Sequence, residues 1–430
     1  MSKNLKRAAL IVLLAVLSFC CALVSVFYLD SNGGGVESAD SDRVTSGTAT
    51  RVDHTWWQHS SGASGLDTSM INGNGGKITA GRYYLTEDIK LTTYNITIEG
   101  TVELCLDGHL IQGNGADSVI TVGSGASLTL YDEESTTNRY FNVNDSKNGL
   151  YEFFDGDGNA YTSENASDYI TGGLITGGNK TGAGGGIQVN GSFTLNGGTI
   201  AGNVASSTGG GVYFDGDALK IAGGAISGNT GIRGGGVYLN ANTFNMTGGE
   251  ISYNTGTGNY GGGVTVKAGT TFNMYGDAVI SNNTVNGTTG TDVNAYGGGV
   301  YVEAGGTFNM SGNAVIEKNL TTEDFAYGGG VTVYGKFNMA GNATIRDNLI
   351  QHTSRFSLGG GVSVHRTGEF TMDGGTITGN TAKTEGGGVY SMGVFNLNGG
   401  VISNNTASGV AGGVRINSTL MSTMTGGTIT

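Results

Sequence analysis

The chain has 430 residues, 82 of them glycine and none proline, and a formal net charge of −13 with only 13% charged residues. No basic stripe is present, which argues against a nucleic-acid partner, and three cysteines exclude a disulfide framework. The apolar residues recur too regularly for a flexible glycine-rich linker, so the glycines are read as turn residues that need positive φ.

Lys3, Lys6 and Arg7 precede an uncharged apolar run from Ala8 to Leu29. A basic start followed by an apolar core is the pattern of a secretory signal. At about 1.5 Å per residue the run is also long enough to span a bilayer, so residues 1–29 are expected to be a signal peptide or a signal anchor. Either way, the positive-inside rule places the rest of the chain outside the cell. Residues 30–80 read as a linker and N-terminal cap region, with Trp56, Trp57 and His59 ahead of the first coil.

From Gly81 to Asp132 short apolar alternations follow one another: Ile96-Thr97-Ile98, Val119-Ile120-Thr121-Val122, and Ser127-Leu128-Thr129-Leu130. Period-two alternation over so few residues is a strand signal. Residues 133–170 interrupt this pattern with eight acidic residues and several aromatics, including Tyr140, Phe141, Phe153 and Phe154. Within this insertion Asp155, Asp157 and Asn159 alternate as calcium ligands do. Ala160 stands where a calcium loop of the EF-hand type has glycine, and Ala166 where it has its last acid, so an acidic turn competes with a calcium site. Calcium is the only cofactor the residues suggest.

Residues 171–430 repeat one unit. Three glycines, a β-branched pair, an aromatic-x-Met or aromatic-x-Leu pair, an Ile and an Asn recur in order, as in Gly234-Gly235-Gly236-Val237, Phe244-Asn245-Met246, Ile251 and Asn254. The valine position returns at Ile187, Val212, Val237, Val264, Val300, Val331, Val362, Val389 and Val414, 25 to 36 residues apart. A fixed period in this range signals a solenoid whose units contact only their neighbours. Three short strands per unit, all running the same way, predict an all-β, right-handed parallel β-helix with three strands per coil. Nine such units and the coils before them would make a rod on the order of 60 Å long at the usual strand spacing.

The Asn at each unit's end is expected to take the left-handed conformation at a coil corner and bond the neighbouring turn. The Met row is expected in the core. Length variation falls between that Asn and the next glycine triplet, so Thr284–Tyr296, Leu320–Tyr327 and Leu349–Leu358 are expected to decorate one edge as loops. The last unit stops at Thr430 before its Asn, so the rod is expected to be cut mid-coil.

Two further features frame the functional expectation. Tyr213, Tyr238, Tyr301 and Tyr390 occupy outward positions of the first strand, where rings could stack on sugars or simply on one another. Carboxylates do not cluster at equivalent positions of adjacent coils, as a glycosidase would need; beside the Ile positions only Glu250, Glu317 and Arg346 are charged. The trio His365, Arg366 and Glu369 and the lone His109 are weak catalytic signals, with a turn role expected for His109.

The segments Tyr83-Tyr84-Leu85-Thr86, Leu104-Cys105-Leu106-Asp107-Gly108-His109 and Leu128-Thr129-Leu130-Tyr131-Asp132, followed by glycine-rich coils, resemble secreted parallel β-helix surface proteins of Gram-positive gut bacteria. The glycine-triplet coil is more distantly similar to the repeats of chlamydial polymorphic outer-membrane adhesins. The resemblance implies a pectin-lyase-like fold and an adhesin-like role. The expectation is therefore an exported, cell-surface, monomeric rod that binds glycan or protein partners and is not an enzyme. A polysaccharide lyase or glycoside hydrolase of the same fold is the alternative, and a passive stalk the third reading.

Overall fold

A computed structural model of the chain describes residues 62–133, 138–140, 169–287, 294–351 and 356–430. The expected export segment, Trp56, Trp57, His59 and the calcium loop Asp155, Asp157 and Asn159 lie outside these residues. Among the described residues no helix is long and apolar enough to cross a membrane.

Stacking begins with β1 (Ala63–Leu66), which pairs in parallel with β2 (Lys77–Leu85). Between them lies the one-and-a-half-turn helix α1 (Thr68–Gly73), capped by the Asp67 carboxylate, which accepts from the Met70 N–H at 2.8 Å. Leu66, Ile71 and Ile78 all join the same core cluster as the later coils. The insertion leaves the coils through an antiparallel pair, Asn138–Tyr140 against Tyr169–Thr171.

In the repeats, each coil contributes a Val strand, a Phe strand and an Ile strand, and every one pairs in parallel with its counterpart one coil on. Val237 faces Val264, Phe244 faces Phe272, and Ile251 faces Ile280. These stacks are the coils of a parallel β-helix. The Val and Phe strands share one 23-stranded sheet because the strand Ile96–Cys105 is long enough to pair with both Ile120–Val122 and Ser127–Tyr131. The Ile strands form a 12-stranded sheet.

A fourth strand follows each Asn, and this differs from the expected three. Thr255–Tyr260, for example, pairs with Thr230–Arg233 before it and Thr284–Val285 after it, within a third sheet. The long connections are also ordered where they return to the rod: Asn294–Tyr296, Phe325–Tyr327 and Phe356–Leu358 stack in register. What length variation suggested as a loop edge is thus partly an additional strand ladder.

Identical residues in register make stacks of identical side chains. The rings of Phe244, Phe272, Phe308, Phe337 and Phe370 lie face to face at 4.6–4.8 Å, the spacing of the strands themselves. Met246, Met274, Met310, Met339 and Met372 are buried beside them, as expected of core residues. These rows belong to one hydrophobic cluster running from Leu66 to Ile402.

At the corner after the Ile strand, the Asn side chains form a second kind of ladder. The Asn254 N–H and Nδ2 both donate to Asn283 Oδ1, at 3.0 and 2.9 Å, and Nδ2 also donates to the Ile226 carbonyl at 2.8 Å. The same pattern links Asn203, Asn229, Asn254, Asn283, Asn319, Asn348, Asn380 and Asn405. The left-handed residue is not this Asn but the one before it: Tyr253, Asn282, Lys318, Asp347 and Asn404 have φ of 53–55°, and Gly202, Gly228 and Gly379 fill the other corners. The turn must bend one residue early so that the Asn itself stays extended and aims its amide along the rod.

The glycine triplet answers two separate demands. Its first member carries positive φ, as at Gly234 (59°) and Gly297 (65°). The next two lie against the backbone of the following coil and have no room for a Cβ.

Candidate binding face

The row of outward residues on the Val strands is Tyr213, Tyr238, Thr265, Tyr301, Thr332, Ser363, Tyr390 and Arg415, each in register with the next. Sequence alternation correctly places the four tyrosines outside the sheet, but it does not leave them free. Tyr238 and Tyr301 are only 6% exposed and Tyr390 only 3%, while Tyr213 is half-buried and stacks on Tyr238 at 5.9 Å. Tyr390 also accepts a hydrogen bond at its hydroxyl from Asn417 Nδ2.

A second row packs against Tyr301. Tyr260, Tyr296 and Tyr327 each sit immediately before a triplet whose first glycine turns left-handed (Gly261, Gly297, Gly328), and they pair in register at the corner. Their rings stack at 5.4 and 5.1 Å. The Tyr260 ring also lies 4.7 Å from Tyr301. From the turn after the Val strand, Tyr334 meets Tyr296 and Tyr301 edge-on at 5.6 Å and stacks on the His365 imidazole at 3.9 Å. Thr265 and Thr332, small residues in the outward row, donate their hydroxyls to the Tyr260 and Tyr327 carbonyls.

The upstream end of this aromatic flank is charged. The Arg233 guanidinium lies 4.6 Å over the Tyr260 ring, where the quadrupole attracts a cation. It also lies 3.7 Å from the Glu303 carboxylate. Beside it, Asn240 links the Asp215 carboxylate to the Lys267 ammonium.

Crowding shows in the titration behaviour. Burial pushes the Tyr301 and Tyr334 hydroxyls far above the ordinary phenol value, with neighbouring tyrosines adding to the shift. Tyr238, Tyr296 and Tyr327 move the same way, again mainly through burial. His365 is held below its usual value by burial and by the adjacent Arg366 charge, and its Nδ1 is buried without a hydrogen-bond partner. The sign for stability follows directly. A folded-state pKa above the unfolded one contributes stability that is complete below about pH 10, the unfolded tyrosine value, and is lost as pH rises through the folded values. Alkaline titration followed by tyrosinate absorbance is expected to show a class of rings that ionise only together with unfolding. Full ionisation near pH 10 with retained circular dichroism would contradict the packed flank.

Geometry limits what the rings can do. Stacked tyrosines occupy each other's faces, so these half-buried rings do not leave open faces for sugar stacking. Recognition here has to work through phenol hydroxyls and the Arg233–Glu303 pair. The second row has a sequence signal: tyrosine precedes the glycine triplet in three successive coils. Alternation along the Val strand alone does not reveal it.

The charged residues beside the Ile strand also meet. Ser281 Oγ donates to Glu250 Oε1 at 2.7 Å. Burial holds the Glu250 carboxyl above its usual range, opposed by the serine bonds and reinforced by the Glu317 charge. Glu317 pairs with Arg346 one coil on. His109 serves its turn: Asp88 accepts from the Leu110 N–H at 2.9 Å and lies 3.4 Å from the imidazole, while Asp132 accepts from Gly108 and Gly173. Among the described residues no three His, Cys, Asp or Glu side chains gather as a metal would require.

Comparison of the chain with models of protein families, with curated proteins and with solved structures returns no match.

Proposed function

We propose that the protein is an exported, cell-surface, adhesin-like β-helix whose lateral faces bind extracellular glycan or protein partners. The supporting observation is the aromatic flank, which runs across successive coils with half-buried Tyr260, Tyr296, Tyr327 and Tyr334 and a charged end at Arg233 and Glu303. Aromatic and arginine side chains at a rigid surface are the residues that anchor interfaces. The basic and apolar N-terminus supports export. Binding of the purified chain to glycan and matrix-protein arrays tests this reading. Because ring faces are occupied, Tyr260→Phe combined with Tyr327→Phe keeps the packing and is expected to weaken binding about tenfold through the lost hydroxyls alone. Binding that is unchanged in both this variant and Arg233→Ala would remove the flank from consideration.

A carbohydrate-active enzyme is the second reading, favoured by the enclosed Glu250 carboxyl beside the Glu317 charge. A carboxyl raised by burial beside a second carboxylate is an arrangement acid–base chemistry can use. Release of reducing sugars from a polysaccharide by the wild type, abolished by Glu250→Gln, would favour it over adhesion.

A further inference from the structure

The outer surface of the Phe strands carries an ordered array that the tyrosine flank does not include. Three coils repeat the same tetrad, Thr243-Phe244-Asn245-Met246, Thr271-Phe272-Asn273-Met274 and Thr307-Phe308-Asn309-Met310, in register. Phe and Met point into the core and are buried, so Thr and Asn point out and are half-buried. The Asn amides are linked to one another: Asn273 Nδ2 donates to Asn245 Oδ1 at 2.9 Å, Asn309 Nδ2 to Asn273 Oδ1 at 2.8 Å, and Asn338 Nδ2 to Asn309 Oδ1 at 2.8 Å. A parallel row on the following turn joins Asp277, Asn313 and Asn342.

An amide has two N–H donors and an oxygen with two lone pairs. Within the row Asn273 and Asn309 each use one donor and one lone pair, which leaves one of each on these outward-set amides. The threonine hydroxyls add a second line beside them. Each rung is therefore a fixed donor–acceptor pair, and the pairs recur at the coil spacing of about 4.8 Å. Because the amides hold one another in place, a ligand would not have to order them.

The chemistry of the occupant follows from what this face presents and lacks. The three tetrads contain no ionisable side chain; Lys220 and the Lys336–Glu369 pair stand only at their margins. A nucleic acid requires cationic groups, and a membrane surface requires apolar or basic ones. A protein partner would need buried aromatic or arginine anchors, and here the aromatic rings are turned inward. A straight, uncharged polymer with hydroxyls along its edge matches every feature.

We propose that the Thr-x-Asn face binds a neutral, linear, extended polysaccharide lying along the rod axis, with sugar hydroxyls meeting one Asn rung per coil. This deepens the adhesin reading and rests on it, naming one ligand class on a face separate from the tyrosines.

The test uses the full chain with cellohexaose and chitohexaose in solution and with microcrystalline cellulose and chitin as solids. Wild type is expected to bind at least one of these, with affinity unchanged in about 1 M salt because no ion pair is involved. Asn273→Ala combined with Asn309→Ala is expected to weaken binding by about tenfold or more, while the thermal midpoint stays near that of wild type. Gly73→Ala, in α1 and outside both faces, should bind these probes normally. Absence of wild-type binding to all four probes overturns the proposal, as does retention in the Asn double variant. So does loss of binding on raising salt. Self-association abolished by the Asn double variant would overturn it too, by assigning the face to a second copy. If neutral probes fail while array ligands are lost on changing the tyrosines, the adhesin reading stands and this face falls alone.

Discussion

Asn283→Ala is expected to lower the stability of the rod by about 4 kcal/mol, at roughly 1–3 kcal/mol for each buried group left without a partner. The Asn283 oxygen is the acceptor for both the Asn254 N–H and the Asn254 amide, and its own amide donates to the Ile251 carbonyl and to Asn319 Oδ1. Truncation strands these groups in a corner where Asn254, Asn283 and Asn319 are all fully buried. Asn405→Ala removes the same number of side-chain bonds, but from a half-exposed site where water can replace them, and should cost about 1 kcal/mol. Equilibrium urea unfolding followed by circular dichroism compares the two. Equal, small effects would mean that water replaces the ladder and that the corner is not held by these amides.

Gly235→Ala should be at least as damaging, at about 3 kcal/mol or more from overpacking. An added Cβ would lie 2.4 Å from the carbonyl oxygen of Thr255, in the strand that closes its own coil, and 2.6 Å from that of Gly262 in the following coil, both backbone atoms. No rotamer change can relieve a collision with backbone, so the coils must separate and weaken the stacking on both sides. Gly73→Ala in α1 is the matched control, since nothing lies within 4 Å of its Cβ position and alanine is the better helix former. That variant is expected to be neutral or slightly stabilising in a thermal melt. If both substitutions behave alike, close coil approach is not why the triplet is glycine.

Much of the architecture was legible because the repeat puts identical residues at identical places. The Val, Phe and Ile strands, the inward Met row and the Asn ladder all follow from period and alternation, since stacking in register turns one unit's pattern into the whole core. The fourth strand was not legible. In most coils it is only two residues long, as at Thr284–Val285 and Thr381–Ala382, too short to show any alternation. The corner conformation was misplaced by one residue because glycine and non-glycine alike fill the left-handed position, so composition points at the conspicuous Asn instead of at Tyr253 or Lys318. The tyrosines show a different limit. Alternation reports which side of a sheet a residue faces, and Tyr238, Tyr301 and Tyr390 do face outward. Whether that side is exposed depends on what arrives from other turns and other coils, such as Tyr260, Tyr296 and Tyr334 at Tyr301 and Asn417 at Tyr390.

The two asparagine ladders differ in one respect with a consequence for coupling along the rod. In the corner row every amide donates toward the next coil, as from Asn229 to Asn254, and the backbone locks this sense because Asn254 Oδ1 must also accept the Asn229 N–H. The outer row runs the opposite way, from Asn273 to Asn245, and no backbone group pins it. Rotating each of its amides by half a turn reverses the direction and preserves every amide–amide bond. The outer row is thus a one-dimensional chain with two senses, and a mismatch between them would leave two donors or two acceptors facing each other. A group that demands a donor at Asn245 would be compatible with only one of the two senses, and because each amide bonds the next, that choice would be shared by Asn273, Asn309 and Asn338.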